Sequence, residues 1–171
     1  MSILITENLT LREFTLSDSN QYYKYIQDEE IQKYMPYLKC PDENRAIERL
    51  EWFIENYSEK KLTYYNLAIV KTDINKLIGH IGIGIWDISE SEQGYEIEYA
   101  IGKDYRGFHY ATEALAAFTP WCKSKFGIDK VYALVRQQNI ASCKALLNAG
   151  FVLCEMEFEN KKNSQRNVYF Y

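Results

Sequence analysis

The stretch Asp104-Tyr-Arg-Gly-Phe-His-Tyr-Ala-Thr-Glu-Ala114 decides how the rest of the chain is read. Before it, Tyr95-Glu-Ile-Glu-Tyr-Ala-Ile101 alternates as a strand does; after it, residues 111–126 have the composition of a helix. A strand that turns through Gly107 into a helix leaves several backbone N–H groups unpaired at the positive end of the helix dipole. Such a turn is a ready site for a phosphate or diphosphate, although a plain strand-to-helix connection uses the same glycine. The remaining residues have to choose between the two.

A chain of 171 residues predicts one domain, residues 1–171, large enough to bury a proper core. No apolar run approaches the roughly 20 residues that span a bilayer, and Met1 is not followed by a basic and then apolar leader. A cytoplasmic protein without a membrane partner is expected. A net charge of −4 argues against nucleic acid, which requires a basic face, and leans slightly toward a cationic or amine-bearing partner. The four cysteines (40, 122, 143 and 154) form no Cys-x-x-Cys pair, and both histidines are far from them in sequence. Neither a metal site nor a disulfide framework is expected.

Outward from the central stretch, Leu9-Thr-Leu-Arg-Glu-Phe14 reads as a half-buried strand and Ser17-Asp18 as the cap of a helix through Tyr22, Tyr23 and Ile26. A short helical turn near residues 30–34 ends at Met35-Pro36. Pro41-Asp42-Glu43 opens a helix whose apolar stripe is Ile47, Leu50, Phe53 and Ile54, fading at residues 58–61. Residues 66–70 and 77–86 form strands around a hairpin-like turn at 73–76. In the second of these, Leu77, Ile81, Ile83 and Ile85 are expected on one face. His80, Gly82, Gly84 and Trp86 take the other, where glycine permits close packing and His80 is a packed core residue. A polar loop at 89–93 leads into the strand at 94–102. Further on come a strand at 130–135, a helix at 140–148 ended by Ala149-Gly150, and strands at 151–158 and 167–171 around a polar turn. The whole is an α/β domain with a mixed sheet. Pro120, deep in the helix at 111–126, removes an amide donor and is expected to kink it.

Three features line up: acids on the strand before the Gly107 turn, Asn139-x-x-Ser142 after the strand at 130–135, and Gly150-Phe151 eight residues beyond Ser142. With Leu9-Thr-Leu-Arg12, Ile78-Gly79-x-Ile81-Gly82, Glu96-Ile97-x-Tyr99, Tyr105-Arg-Gly107 and Tyr110-Ala-Thr-Glu-Ala114, the chain resembles the GNAT superfamily of acetyl-CoA-dependent N-acetyltransferases over nearly its whole length. Within it, the RimJ/RimL-like ribosomal-protein N-acetyltransferases are the most similar branch. The resemblance implies an α/β GNAT (acyl-CoA N-acyltransferase) fold: a mixed, splayed sheet of six to seven strands flanked by about four helices. It also implies that acetyl-CoA (coenzyme A) lies between the Glu96 strand and the Val131 strand. The diphosphate would rest on the backbone of Arg106, Gly107, Phe108, His109, Tyr110, Ala111 and Thr112. The pantetheine arm would pair with Tyr99, Ala100 and Ile101, and Asn139 would bond the pantetheine or adjacent backbone. The physical reasons are that a diphosphate needs convergent N–H donors and that a thin amide chain can mimic an added strand.

An amine acceptor arrives as an ammonium, so a base must take its proton before nitrogen attacks. By the resemblance Glu96 is that base, through water. Glu98, on the same face about 7 Å away, stands where relatives carry glycine and is a substrate-binding residue with Tyr34 and Tyr37. A backbone N–H near Tyr99 or Ala100 would hold the oxyanion. Leu146 replaces the tyrosine that protonates the leaving thiolate in many relatives, which leaves Ser142 or water. His109 departs from the family's Gly or Ala. The small residue usual there points to close approach rather than to positive φ, with the imidazole directed outward. Residues 34–38 and the turn at 160–165 are expected to select the acceptor, whether protein N-terminus, polyamine, aminoglycoside or metabolite, in a monomer or homodimer. The alternative is a non-catalytic acyl-CoA-binding or regulatory module on the same fold. A nucleotide-binding protein of another fold is disfavoured because Gly-x-x-x-x-Gly-Lys and Gly-x-Gly-x-x-Gly are absent.

Overall fold

Apolar residues at every second position of adjacent segments build the molecule around one sheet. The computed structural model describes residues 2–58, 62–87, 93–154 and 166–171. Its strands are β1 Ser2–Ile5, β2 Leu9–Arg12, β3 Tyr64–Lys71, β4 Lys76–Asp87, β5 Gln93–Ile101, β6 Tyr132–Arg136, β7 Val152–Leu153 and β8 Arg166–Phe170. Its α-helices are α1 Ser19–Ile26, α2 Glu29–Tyr34, α3 Glu43–Asn56, α4 Tyr110–Phe126 and α5 Ile140–Asn148. The eight strands lie in the order β1-β2-β3-β4-β5-β6-β8-β7. Every neighbouring pair is antiparallel except β5–β6. The short edge strand β1 goes beyond the six to seven strands expected, because Ser2-Ile-Leu-Ile5, with three consecutive apolar residues, lacks the alternation that marks a strand in sequence. Counting the six-residue α2, the helices number five among the described residues.

Each face of the sheet has its own core. Leu11, Leu67, Ile69, Ile81, Ile83 and Ile97 form one cluster with Leu115, Phe118 and Leu146 of α4 and α5. Phe14, Ala68, Val70 and Leu77 form the other with Tyr22 and Ile26 of α1 and Leu50 and Phe53 of α3. The register slips at the turn end of β3–β4, where Ile69 faces Gly79 but Val70 faces Leu77. This bulge corrects the simple alternation: Leu77 joins the cluster under α1 and α3, while Ile78 joins Ile81 and Ile83.

Local signals place the helices with two corrections. Asp42 caps α3 by accepting from the Arg45 amide at 2.9 Å. Asp18 does not cap α1 with its side chain; its carboxylate is engaged by the Arg12 guanidinium in two 2.7 Å bonds and by the Thr15 amide. Helix α4 runs unbroken through Pro120, which lies on its exposed side. There the acceptor that loses its N–H donor, the Ala116 carbonyl, belongs to an exposed residue and can be hydrated. No helix among the described residues is long and apolar enough to cross a membrane. The strand expected at 151–158 is described only as far as residue 154, the turn at 160–165 lies outside the described residues, and of the polar loop expected at 89–93 only Gln93 is described, where it opens β5.

Candidate active site

Strand β5 is held along β4 from Gln93 to Ile101, but it meets β6 at one register pair, Glu96 opposite Tyr132. Beyond that pair the parallel strands part. The β5 edge from Ile97 onward therefore faces a cleft instead of a neighbouring strand, and Glu96 sits where the cleft begins.

At the far end of β5 the chain passes Gly107 at φ 84° and enters α4. The first α4 amide with a partner is Glu113 N, which donates to His109 O at 3.0 Å. The amides of Gly107 through Thr112 have no acceptor among the described residues. That is the donor array a diphosphate needs. His109 itself takes φ 63°, so the turn demands positive φ at this position, contrary to the sequence expectation of close approach. Its imidazole is exposed, in keeping with an outward direction. The Arg106 side chain is not available to a ligand. It donates to Asp28 and Glu30 at 2.5 Å and to the Ile101 carbonyl at 2.9 Å, fastening the turn to the start of α2.

A cavity of about 330 Å³ occupies this end of the cleft. It is lined by Tyr99, Ala100, Ile101, Arg106, Gly107, His109, Tyr110, Ala111, Thr112 and Asn139, ten of the eleven cofactor residues expected from sequence. Phe108 is the exception: it is 62 % exposed and stacks on Tyr110 with ring centroids 5.7 Å apart. Asn139 Oδ1 accepts from the Ser142 amide at 3.2 Å and so caps α5, while the Asn139 side-chain NH₂ has no acceptor among the described residues. The Tyr99 hydroxyl lies 2.6 Å from Ser142 Oγ, joining β5 to α5 across the opening.

A second cavity of about 440 Å³ lies beyond Tyr99, Asn139 and Ser142, which line both spaces. Glu96, Glu98, Tyr34 and Tyr37 line it with Ser142, so the residues expected from sequence to act as catalytic or substrate-binding groups share this one cavity. Glu96 is driven up to about 7, first by burial and second by the Glu98 charge, with Arg166 and the Leu134 amide pulling back. Glu98 is also raised by burial, yet it is bonded on several sides. It accepts from Tyr37 at 2.7 Å, from Asn66 at 3.2 Å and from Tyr64. His80, fully buried and bonded through Nδ1 to the Tyr25 hydroxyl at 2.6 Å, lies 3.9 Å from Glu98. Burial lowers the His80 pKa to about 3, so this core histidine is neutral.

The glycines opposite this network have a definite use. A Cβ on Gly82 would stand 2.8 Å from Asn66 Nδ2, and one on Gly84 would stand 2.8 Å from the Tyr64 ring. The missing Cβ atoms leave room against β4 for Asn66 and Tyr64, two of the three residues that hold Glu98. Tyr64, Asn66, Arg136 and Arg166 escaped the sequence reading because each sits in a strand whose apolar pattern hides it. Only the sheet register brings them to the cavity.

The chain matches the acetyltransferase (GNAT) domain family over residues 8–152. It is 25% identical over 173 residues to the uncharacterised N-acetyltransferase p20 of Bacillus licheniformis, covering 100% of this chain and 95% of that protein. To the uncharacterised N-acetyltransferase YoaA of Bacillus subtilis strain 168 it is 27% identical over 171 residues, covering 98% and 94%. Among solved structures, RimL, a ribosomal L7/L12 alpha-N-protein acetyltransferase in complex with coenzyme A, superposes at TM-score 0.78 with 16% identity. That superposition covers 100% of this chain and 97% of RimL. A mixed sheet opening between β5 and β6, unpaired amides at the head of α4 and the family match over residues 8–152 converge on one assignment: this chain belongs to the GNAT family of N-acetyltransferases.

Proposed function

We propose that this chain is a RimJ/RimL-like enzyme that transfers the acetyl group of acetyl-CoA to a primary amine, with Glu96 as the base. The observation that carries this reading is the position of Glu96: at the fork of β5 and β6, with a carboxyl raised to about 7, next to a cleft ending in unpaired amides. Acetyl-CoA, when bound, supplies the thioester carbon that the amine attacks. The residues present fit it. The amides of Gly107 to Thr112 receive the diphosphate, the open edge of β5 at Tyr99 to Ile101 pairs with the pantetheine amides, and Asn139 offers its side-chain NH₂.

A base poised near neutrality takes a proton from an ammonium more readily than an ordinary carboxylate does, and it is about half ionised at pH 7 and largely ionised by pH 8. Glu98 helps to hold Glu96 there, because two nearby carboxylates resist being charged together. Ser142 stands at the junction of the two cavities with its hydroxyl bonded to Tyr99, a position from which it can return a proton to a departing thiolate. The same environment favours catalysis over mere cofactor holding, since a binding module has no use for a carboxyl raised at the mouth of the acceptor cavity.

The test is acetyl transfer to an amine panel containing peptides with free N-termini, spermidine, an aminoglycoside and small amino compounds. At least one should be acetylated, and Glu96→Gln should lower its turnover by about 10²-fold or more while acetyl-CoA still binds. Full turnover by Glu96→Gln at every pH would remove Glu96 as the base.

A further inference from the structure

The cavity on the Glu96 side has walls of opposite charge. Strands β6 and β8 are paired so that Arg136 stands directly opposite Arg166. The alternate residues Ala133, Val135 and Tyr169 are buried in the core beneath α4 and α5. Arg136 and Arg166 therefore project from the other face, which carries Tyr132 and, across its register pair, Glu96. Like charges facing each other across two strands are unfavourable unless something neutralises them. Neither guanidinium has a hydrogen-bonded or ion-paired carboxylate among the described residues, both are exposed, and both line the cavity. Arg166 is close enough to lower the pKa of Glu96.

At the other end, the carboxylates do not form a double trap for a polycation. Glu98 is taken up by Tyr37, Tyr64 and Asn66, which leaves Glu96 as the acid facing an incoming ammonium. The rings of Tyr34, Tyr37 and Trp52 line the space between. Arg136 lies four residues along β6 from the partner of Glu96, about 13 Å of strand, and the two long side chains shorten that gap. A second cationic group of an acceptor would meet Arg136 and Arg166 and be repelled.

We infer that the acceptor carries an anionic group, a carboxylate or a phosphate, which docks on Arg136 and Arg166 while its amine lies against Glu96. This rests on the acetyl-transfer reading only for the word acceptor; the paired arginines constitute a binding site whether or not transfer follows. It selects, from the amine classes open to the sequence, small amino acids, amino phosphates and peptide N-termini followed by an acid. It disfavours polyamines and aminoglycosides. The overall charge of −4 leans toward a cationic or amine-bearing partner; the local arrangement keeps the amine and adds an anionic group to it.

The experiment is calorimetric titration of the full chain, with coenzyme A present, by matched pairs: 4-aminobutyrate and its amide, glycylglycine and its amide, and 2-aminoethyl phosphate and ethanolamine, with spermidine alongside. In at least one pair the anionic member should bind about tenfold tighter than its neutral twin, the carboxylate and phosphate arms deciding which anion is meant. Arg136→Gln with Arg166→Gln should erase that preference and leave coenzyme A affinity unchanged; Arg166→Lys should retain part of it. Neutral members or spermidine binding as tightly as the anions, no binding by any anion, or an equal loss for both twins in the Gln variant would overturn the inference. Acetylation is measured separately. Preferred acetylation of spermidine would refute the anion site and keep acetyl transfer, whereas arginine-dependent binding with no acetylated product would refute transfer and keep the site.

Discussion

The Glu96 carboxyl sits at the fork of β5 and β6, and its environment has consequences for stability as well as for the rate of the transfer we propose. Its folded-state pKa of about 7 lies above the ordinary 4.5, so the protonated form favours the fold. That contribution is full below about pH 4.5 and is lost as pH rises through about 7. Glu96→Gln removes the titration. Denaturant unfolding at pH 5 and pH 8 should show the wild type losing more stability over this interval than the variant does. Equal pH dependence of the two proteins would show that Glu96 titrates as an ordinary carboxyl. With Glu96 as the proposed base, turnover has the opposite sign, since the base must be ionised: kcat/KM should rise about tenfold per pH unit below about 7 and level off above it.

At the scale of elements, the turn into α4 and the fork of β5 and β6 are separate features, with Gly107 eleven residues after Glu96. The turn needs two positive-φ residues, Gly107 and His109, to aim its amides. Positive φ costs a residue with a Cβ about 1–2 kcal/mol, and histidine bears it better than most. His109→Gly relieves that strain but gives the unfolded chain more freedom, so stability should hold or rise by up to about 1 kcal/mol. His109→Val, β-branched, should lose about 1–2 kcal/mol. Urea unfolding of the two variants checks the contrast, and a Val variant as stable as the Gly variant would show that φ is not the constraint. The bulge that sends Leu77 and Ile78 to opposite faces belongs to this scale too, and so do Gly82 and Gly84, which make room for the residues holding Glu98.

At the scale of the whole molecule, the two cavities meet at Tyr99, Asn139 and Ser142, so a cofactor bound in the first would close one wall of the second, the proposed acceptor space. Acetyl-CoA at a hundred times its Kd should stabilise the fold by about 2.7 kcal/mol, or roughly 5–10 °C in Tm for a chain of this size. No shift at millimolar acetyl-CoA would sink the cofactor assignment. The alternating strands, the Gly107 turn, the Asn139 cap and the acids on β5 were legible in the sequence because each is a local pattern, set by period, capping or backbone conformation. They were sufficient for the α/β class and, with the family resemblance, for naming ten residues that line the cavity at the head of α4. The sequence did not show that Arg106 is spent on α2, that Glu98 is held by Tyr37, Tyr64 and Asn66, or that Arg136 faces Arg166. Those facts depend on which residues far apart in the chain become neighbours. Strand register and helix docking decide that, and no local periodicity encodes it.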